Sequence, residues 1–349
     1  MYWKYVIKRL INGVIIFIIL VFIYSVIFNV QLEQTVRTMI EEKVRAEEMA
    51  LSTGNMTPQQ IKQYSQERRD HYYRIYNLDK SVPERVLINT VNSVVFNFGN
   101  STIIKSSEGS MDVRTIVFET IPRTLLLFAT AAIIDIIIGL LLGIKKAQKP
   151  GSGLDKTTSV STMIVFGMPS WWLGMLMMML FVYTIPLFPS GGMVSTPPPE
   201  GSMAMAGDVL YHLALPVLTL VVLGFWGRAF ITRNIVLGTL QEDFIMSARA
   251  RGIPERKVLY GHAMKTAAPP IVTMALLALL ASISGNIVFE GIFSWPGMGN
   301  LYWVAVEQND IPVLMGDLTT TTMVYLSGLV ILDLIYGFLD PRIKVGGKE

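Results

Sequence analysis

The sequence predicts an all-α integral membrane protein: six transmembrane helices, both termini cytoplasmic, and a helical extracytoplasmic segment between the first and second spans. Three observations predict it. The 349 residues are 52% hydrophobic and 16% charged, with a mean hydropathy of +0.48, where an ordinary soluble domain carries about 25% charge. Six apolar runs approach or exceed the roughly 20 residues that carry a helix across a bilayer core about 30 Å thick. Lysine and arginine, finally, fall on alternate short connections. A net charge of +3 on so apolar a chain is no basic patch, which excludes nucleic-acid binding, and the absence of cysteine excludes disulfides, a thiolate nucleophile and cysteine metal sites.

The runs come in this order. Leu10 to Leu32 is free of charge, Thr124 to Ile144 carries only Asp135, and the third is apolar from about Val160 to Leu187. Val209 to Gly227 is the fourth, Thr266 to Phe289 the fifth, and about Val313 to Leu339 the sixth, interrupted by Asp317 and Asp333. Tyr2 to Phe28 is too long for a signal-peptide apolar region and no small-residue cleavage site follows it, so it reads as a retained first span.

Orientation follows from short loops, because connections beyond about 60 residues cross regardless of charge. The 84-residue stretch Asn29 to Asp112 is therefore set aside. The N-terminus, the second-to-third connection, Arg228 to Lys265 and the C-terminus together hold seventeen basic residues; Pro186 to Asp208 and Ile292 to Pro312 hold none. Both termini are thus expected in the cytoplasm of a multi-pass protein of the plasma or inner membrane. The organisation expected is a first span at 1–32, an extracytoplasmic segment at 33–112, a five-span core at 113–342 with a cytoplasmic loop at 234–265, and a tail at 343–349.

The outer segment carries ten basic and eleven acidic residues and is electrically balanced. Thr57, Pro58 and Gln60 form a capping box with proline at the first helical position, launching a helix through about Tyr76. Glu33 to Ala50 is a second, charged helix. The two are expected to pack on the outer mouth.

Catalytic chemistry is absent from the pattern. His71, His212 and His262 lie far apart, none in the i, i+4 pairing of a helical metal site, and no phosphate-binding loop or nucleophile elbow occurs. No metal or cofactor is expected, and His212 reads as a packing or interfacial residue. Ionisable residues inside spans cost roughly 2.5 to 3.5 kcal/mol each at the helix centre, so Asp135 and Asp333 are candidates for the path or for helix pairing. Asp333 has a simpler reading near its helix end, a pair with Arg342 or with an Arg or Lys of a neighbouring loop. Trp171, Trp172, Trp295 and Trp303 are expected as interface anchors.

The most informative segment is Asn234 to Lys265. Small residues, a Pro254 turn and alternating charges suggest two short helices joined at Gly252, Ile253 and Pro254. A connection needs only a few residues, so about 30 charge-rich ones argue for a partner on that face. Pro269 and Pro270 are expected in the first turn of the fifth span.

At this segment the chain resembles the permease subunits of bacterial and archaeal ABC importers of the dipeptide and oligopeptide class. Ser247-Ala248-Arg249-Ala250-Arg251-Gly252, then Glu255-Arg256-Lys257-Val258, His262-Ala263 and Pro270, is similar to that family's coupling segment. Matching blocks run along nearly the whole chain: Asn77 to Val82 and Asn97 to Ser101, Ile121 to Leu125, Gly167 to Gly174, Phe293 to Gly299, and Asp333 with Leu339 to Arg342. Met246-Ser247-Ala248 stands where Glu-Ala-Ala is usual, so no glutamate is carried over, and Asp135 matches no family position. The resemblance implies a permease forming half of a path for peptides, with oligosaccharides or nickel as alternatives. It implies three kinds of partner besides lipid: a second similar permease, two cytoplasmic ATPase subunits and an external solute-binding protein, with ATP hydrolysed in the partners and not here. By the same resemblance Asp243, Ser247, Ala248, Arg251, Gly252, Glu255 and Arg256 form the ATPase-coupling loop, while Met168 and Pro169 join Asp135 and Asp333 as candidates for the path or for helix pairing. An ion-coupled carrier using Asp135 and Asp333 as a proton relay is the competing class, and a membrane-embedded hydrolase a third.

Overall fold

The computed structural model describes residues 2–52 and 57–339. Every extended element among them is helical, and the chain divides into two compact units. Among the described residues, five helices are long and apolar enough to cross a membrane, or six when one bent pair is taken as a single span.

One unit comprises Trp3–Thr120 with Leu301–Leu326. Its backbone is α1, Tyr2–Ser52, about 77 Å long at 1.5 Å per residue. The span and the charged Glu33 to Ala50 stretch are therefore one helix and not two, because between Ile11 and Ser52 there is no proline and only one glycine to end it. The α2 helix, Pro58–Ile75, starts at the expected capping box, with Gln60 closing back on the Thr57 amide at 2.9 Å. Two bidentate ion pairs clamp α2 to α1: Arg68 on Glu47 at 2.8 and 2.9 Å, and Arg69 on Glu41 at 2.8 and 3.0 Å. The α3 helix, Val82–Val94, follows.

Behind these lies an apolar centre in which Val113, Ile116 and Val117 meet Leu301, Ala305, Val313 and Leu314. Asp310, fully buried beside it, gathers the chain in front of the second span. Its Oδ2 accepts from the Ser101 hydroxyl at 2.6 Å and from the amides of Thr102, Ile103 and Ile104 at 3.0, 3.0 and 3.3 Å. Nothing in the sequence pattern marks this carboxylate, since its partners lie more than 200 positions away.

The other unit comprises Met1–Tyr2, Ile121–Asn300 and Ser327–Glu349. It holds most of α4 (Val113–Gln148), then α5 (Gly153–Phe166), α6 (Ser170–Met178) and α7 (Ser202–Leu240). The α8 (Asp243–Ala250), α9 (Glu255–Lys257), α10 (Met264–Ala281) and α11 (Ile287–Ile292) helices follow. Next in the chain come α12 (Met298–Glu307) and α13 (Ile311–Leu339).

The apolar runs and the helices differ in four places. The third run is broken: α5 and α6 meet at 100°. Pro169 cannot donate a helical hydrogen bond and pushes Met168 out of the helical region, so the chain turns at Gly167-Met168-Pro169. The fourth helix does not stop at Gly227 but runs to Leu240, so Arg228 and Arg233 sit within a helix. The fifth ends at Ala281 and not Phe289, because Ser282-Ile283-Ser284-Gly285 unwinds it, Gly285 at φ +65°, before Asn286 caps the separate α11. Pro269 and Pro270 fall in the second turn of α10, preceded by a π-helical stretch over Val258–Ala263.

The α4 and α7 helices cross in close contact. A Cβ added at Gly139 would come within 2.6 Å of the Arg228 Cβ, and one at Gly143 within 2.6 Å of the Thr232 Cβ. A glycine every fourth residue lets the two backbones touch, as small residues do between membrane helices. Arg228 ion-pairs with Asp135 across the crossing, and Gly224 leaves the space the Asp135 carboxylate fills.

One helical repeat further along α4, Lys146 is completely buried, 4.0 Å from Asp155. Asp155 also accepts from Arg233 at 2.9 Å and from the Gly151 amide at 3.0 Å, tying α4, α5 and α7 together.

Candidate functional site

The coupling residues predicted from sequence lie on an ordered element. After α7 a tight turn at Gln241 leads into α8, whose inner side carries Ile245 and Ala248. Both are buried, against Val236, Leu240, Val258, Leu259 and Ala263. The helix ends in a left-handed turn. The Gly252 amide bonds the Arg249 carbonyl at 2.9 Å and the Ile253 amide the Ala248 carbonyl at 3.3 Å, with Gly252 at φ +75°. This is the paired closure with which a glycine ends a helix. Arg249 then reaches over the turn to Glu255 with two hydrogen bonds, of 2.6 and 3.1 Å.

The outcome is a wedge with an apolar root and a charged, solvated crown. Of the predicted residues, Asp243, Ser247, Arg251, Gly252, Glu255 and Arg256 are exposed, and Ala248 is the one that anchors. A Cβ at Gly252 would meet nothing within 4 Å in this chain. Beside the wedge a cleft of about 590 Å³ is lined by Lys149, Leu240, Gln241, Arg249, Arg256 and Tyr260. Arg249 and Lys149 were not among the predicted residues; the first was legible as an opposite charge six residues before Glu255.

The other predicted residues lie elsewhere. Asp135 faces Arg228 at the α4–α7 crossing. Met168 and Pro169 form the break between α5 and α6, Pro169 exposed and Met168 half-buried. Asp333 is half-buried on α13, and Arg342, its suggested partner, lies outside the described residues, as do Asp340, Pro341 and the tail. His212 is buried, its Nδ1 2.9 Å from the Asp208 carbonyl. Trp171, Trp172 and Trp303 are exposed, but Trp295 is not an interface anchor: it is fully buried and donates its Nε1–H to the Arg123 carbonyl at 2.9 Å.

A buried polar centre absent from the sequence reading surrounds Glu290. This side chain is 0% exposed. It accepts from the Thr124 hydroxyl at 3.0 Å and from the Asn300 amide at 3.0 Å, while Thr124 accepts from the Met298 amide at 2.7 Å. Gly285 and Gly297 leave the room it occupies. One carboxyl thus holds the start of the second span's apolar run, α11 and the Trp295-Pro296-Gly297-Met298 turn in one cluster. Burial pushes that carboxyl up to about 7, against the hydrogen bonds that favour its ionised form. The available signal was a lone glutamate in the otherwise uncharged stretch from Thr266 to Val306.

The family described as binding-protein-dependent transport system inner membrane component matches residues 135–345. The oligopeptide transport system permease protein AppB of Bacillus subtilis is 31% identical over 280 residues, 80% of this chain and 86% of that protein. The dipeptide transport system permease protein DppB of the same organism is 29% identical over 78% of this chain and 83% of its own length. The probable D,D-dipeptide transport system permease protein DdpB of Escherichia coli is 31% identical over 74% and 79%. The chain belongs to the binding-protein-dependent transport system inner membrane component family. It is a multi-pass inner-membrane permease component of an ABC transporter, and not itself catalytic.

Glu290 makes a pH prediction. A carboxyl raised from 4.5 to about 7 in the folded chain stabilises that fold fully below pH 4.5 and loses the contribution as the pH rises through 7, about 3 kcal/mol in all. Melting of the purified protein should therefore fall more steeply between pH 5 and pH 8 in the parent than in Glu290→Gln. Parallel melting curves for the two would show that the carboxyl is not held neutral.

Proposed function

We propose that the chain is a membrane-spanning subunit of an ATP-driven importer for peptides, providing half of the translocation path for solute delivered by an external binding protein. In this reading it spans the membrane six times, the α5–α6 pair counting as one bent span, with both termini in the cytoplasm. It works with a second similar permease and with two cytoplasmic subunits that hydrolyse ATP.

The observation that carries the reading is the wedge at α8–α9. It is ordered through its buried root, yet its crown of Asp243, Ser247, Arg251, Glu255 and Arg256 is exposed and touches little else in this chain. Such a surface is suited to a partner, and the basic flank that assigns it to the cytoplasm puts it where ATP is found. Peptides are supported as the solute by the oligopeptide and dipeptide permeases the chain resembles. Against an ion-coupled carrier stands the pairing of Asp135 with Arg228, which holds the carboxylate in a salt bridge.

The orientation can be tested because the chain has no cysteine. Cysteines placed at the exposed Ser190 and Gln308 should react with an impermeant maleimide in intact cells, and one at the exposed Lys156 should not. Labelling at Lys156 in sealed cells would reverse the topology.

Coupling is tested at Gly252. A non-glycine residue in the left-handed region costs roughly 1–2 kcal/mol locally, but the site is exposed and its Cβ would clash with nothing in this chain. Gly252→Glu should insert normally yet lose at least tenfold in uptake of a labelled tripeptide, with reduced recovery of the ATPase subunits in a pull-down. Gly252→Asn, which tolerates the same backbone, should keep most of both. Full uptake and full ATPase recovery by Gly252→Glu would remove the wedge from the coupling role.

A further inference from the structure

The unit built on α1, α2 and α3 contains a cleft of about 600 Å³, within the roughly 300–1,000 Å³ range of small-molecule sites. One wall is a face of α1 carrying Asn29, Glu33 and Lys43. The other is a face of α3 carrying Arg85, Asn89 and Asn92, at i, i+4 and i+7. Loop residues Asn77, Asn97 and Asn100 close it.

Two features of this lining are unusual. Six asparagines line this one cleft, and an asparagine side chain offers both a carbonyl acceptor and an amide donor, the complement of a peptide group. Arg85, meanwhile, is a guanidinium only 7% exposed. It reaches Glu33 at 2.5 Å through Nη2, but Glu33 is shared with Arg37 at 2.9 Å, and the buried Arg85 Nε has no hydrogen-bond partner. An unpaired buried donor is costly, and here it belongs to a cation. With the exposed Lys43 at the rim, the cleft presents two cations against one shared carboxylate.

We infer that this cleft is a binding site for the carboxyl-terminal end of a short peptide, with its carboxylate toward Arg85 and Lys43 and its amide groups on the asparagines of α3 and the 97–100 loop. Its ligand class follows from the lining alone. A sugar would use the asparagines but leave the cationic end unanswered; a simple anion would use the cations and leave the amides idle.

The test uses the full-length chain, purified with its partner subunits in lipid nanodiscs and without the external binding protein. Radiolabelled trialanine should bind saturably. Trialaninamide, which lacks the carboxylate, should compete at least tenfold more weakly, and Asn89→Leu/Asn92→Leu should weaken trialanine at least tenfold while eluting and melting like the parent. Should that variant misfold, Asn97→Ala/Asn100→Ala on the exposed loop is read in its place. Absence of saturable binding, equal competition by the amide, displacement by maltotriose as good as by trialanine, or undiminished binding in the folded variant would each overturn the assignment. Uptake of trialanine by cells is measured separately and decides the import reading alone.

Discussion

A charge placed inside a bundle of apolar helices is tolerable only where a second charge answers it, and the crossing of α4 with α7 is built around that constraint. Asp135 and Arg228 face each other there, Gly224 leaves the space for the carboxylate, and Gly139 and Gly143 bring the backbones into contact at Arg228 and Thr232. Without the glycines the helices would stand too far apart for the pair to close. Without the pair, close approach would bury an isolated charge, at a cost of several kcal/mol. The same logic recurs at the basic end of these helices, where Lys146, Asp155 and Arg233 bind α4, α5 and α7 in one network.

This arrangement reaches the wedge through α7. The helix that carries Arg228 and Arg233 continues without interruption to Leu240, and its last turn supplies Val236 and Leu240 to the apolar root beneath α8. A load applied to the exposed crown is therefore delivered to a helix already locked against α4. On the other face of the same unit, Glu290 performs a comparable task with hydrogen bonds in place of an ion pair, joining Thr124, α11 and the turn at Gly297. The fold thus uses a few buried polar contacts to fix helices whose apolar surfaces alone would allow many packings.

Much of this was legible along the chain. The apolar runs located the long apolar helices, the Thr57 box located the start of α2, and Gly252-Ile253-Pro254 located the turn between α8 and α9, because each depends on residues within a few positions of one another. The break at Gly167-Met168-Pro169 was present in the letters but masked by a continuous run of apolar residues, which records hydropathy and not direction. The unity of α1 was hidden by its change from apolar to charged at Glu33, a change of surroundings and not of backbone. The distant partners of Asp310, Glu290 and Asp135 could not be read at all. Their contacts join positions 93 to more than 200 apart, and only the folded chain brings them together.

The central claim, that mutual neutralisation at the α4–α7 crossing holds this unit together, is tested most directly by a double-mutant cycle on Asp135 and Arg228. Thermal melting and the yield of monodisperse protein are measured for Asp135→Asn, Arg228→Met and the pair combined. Each single change should leave one charge unanswered, Arg228→Met the more costly at about 3–5 kcal/mol because Asp135 is the buried partner, while the combined variant should recover most of that loss. Single variants as stable as the parent, or a combined loss equal to the sum of the two, would contradict the account.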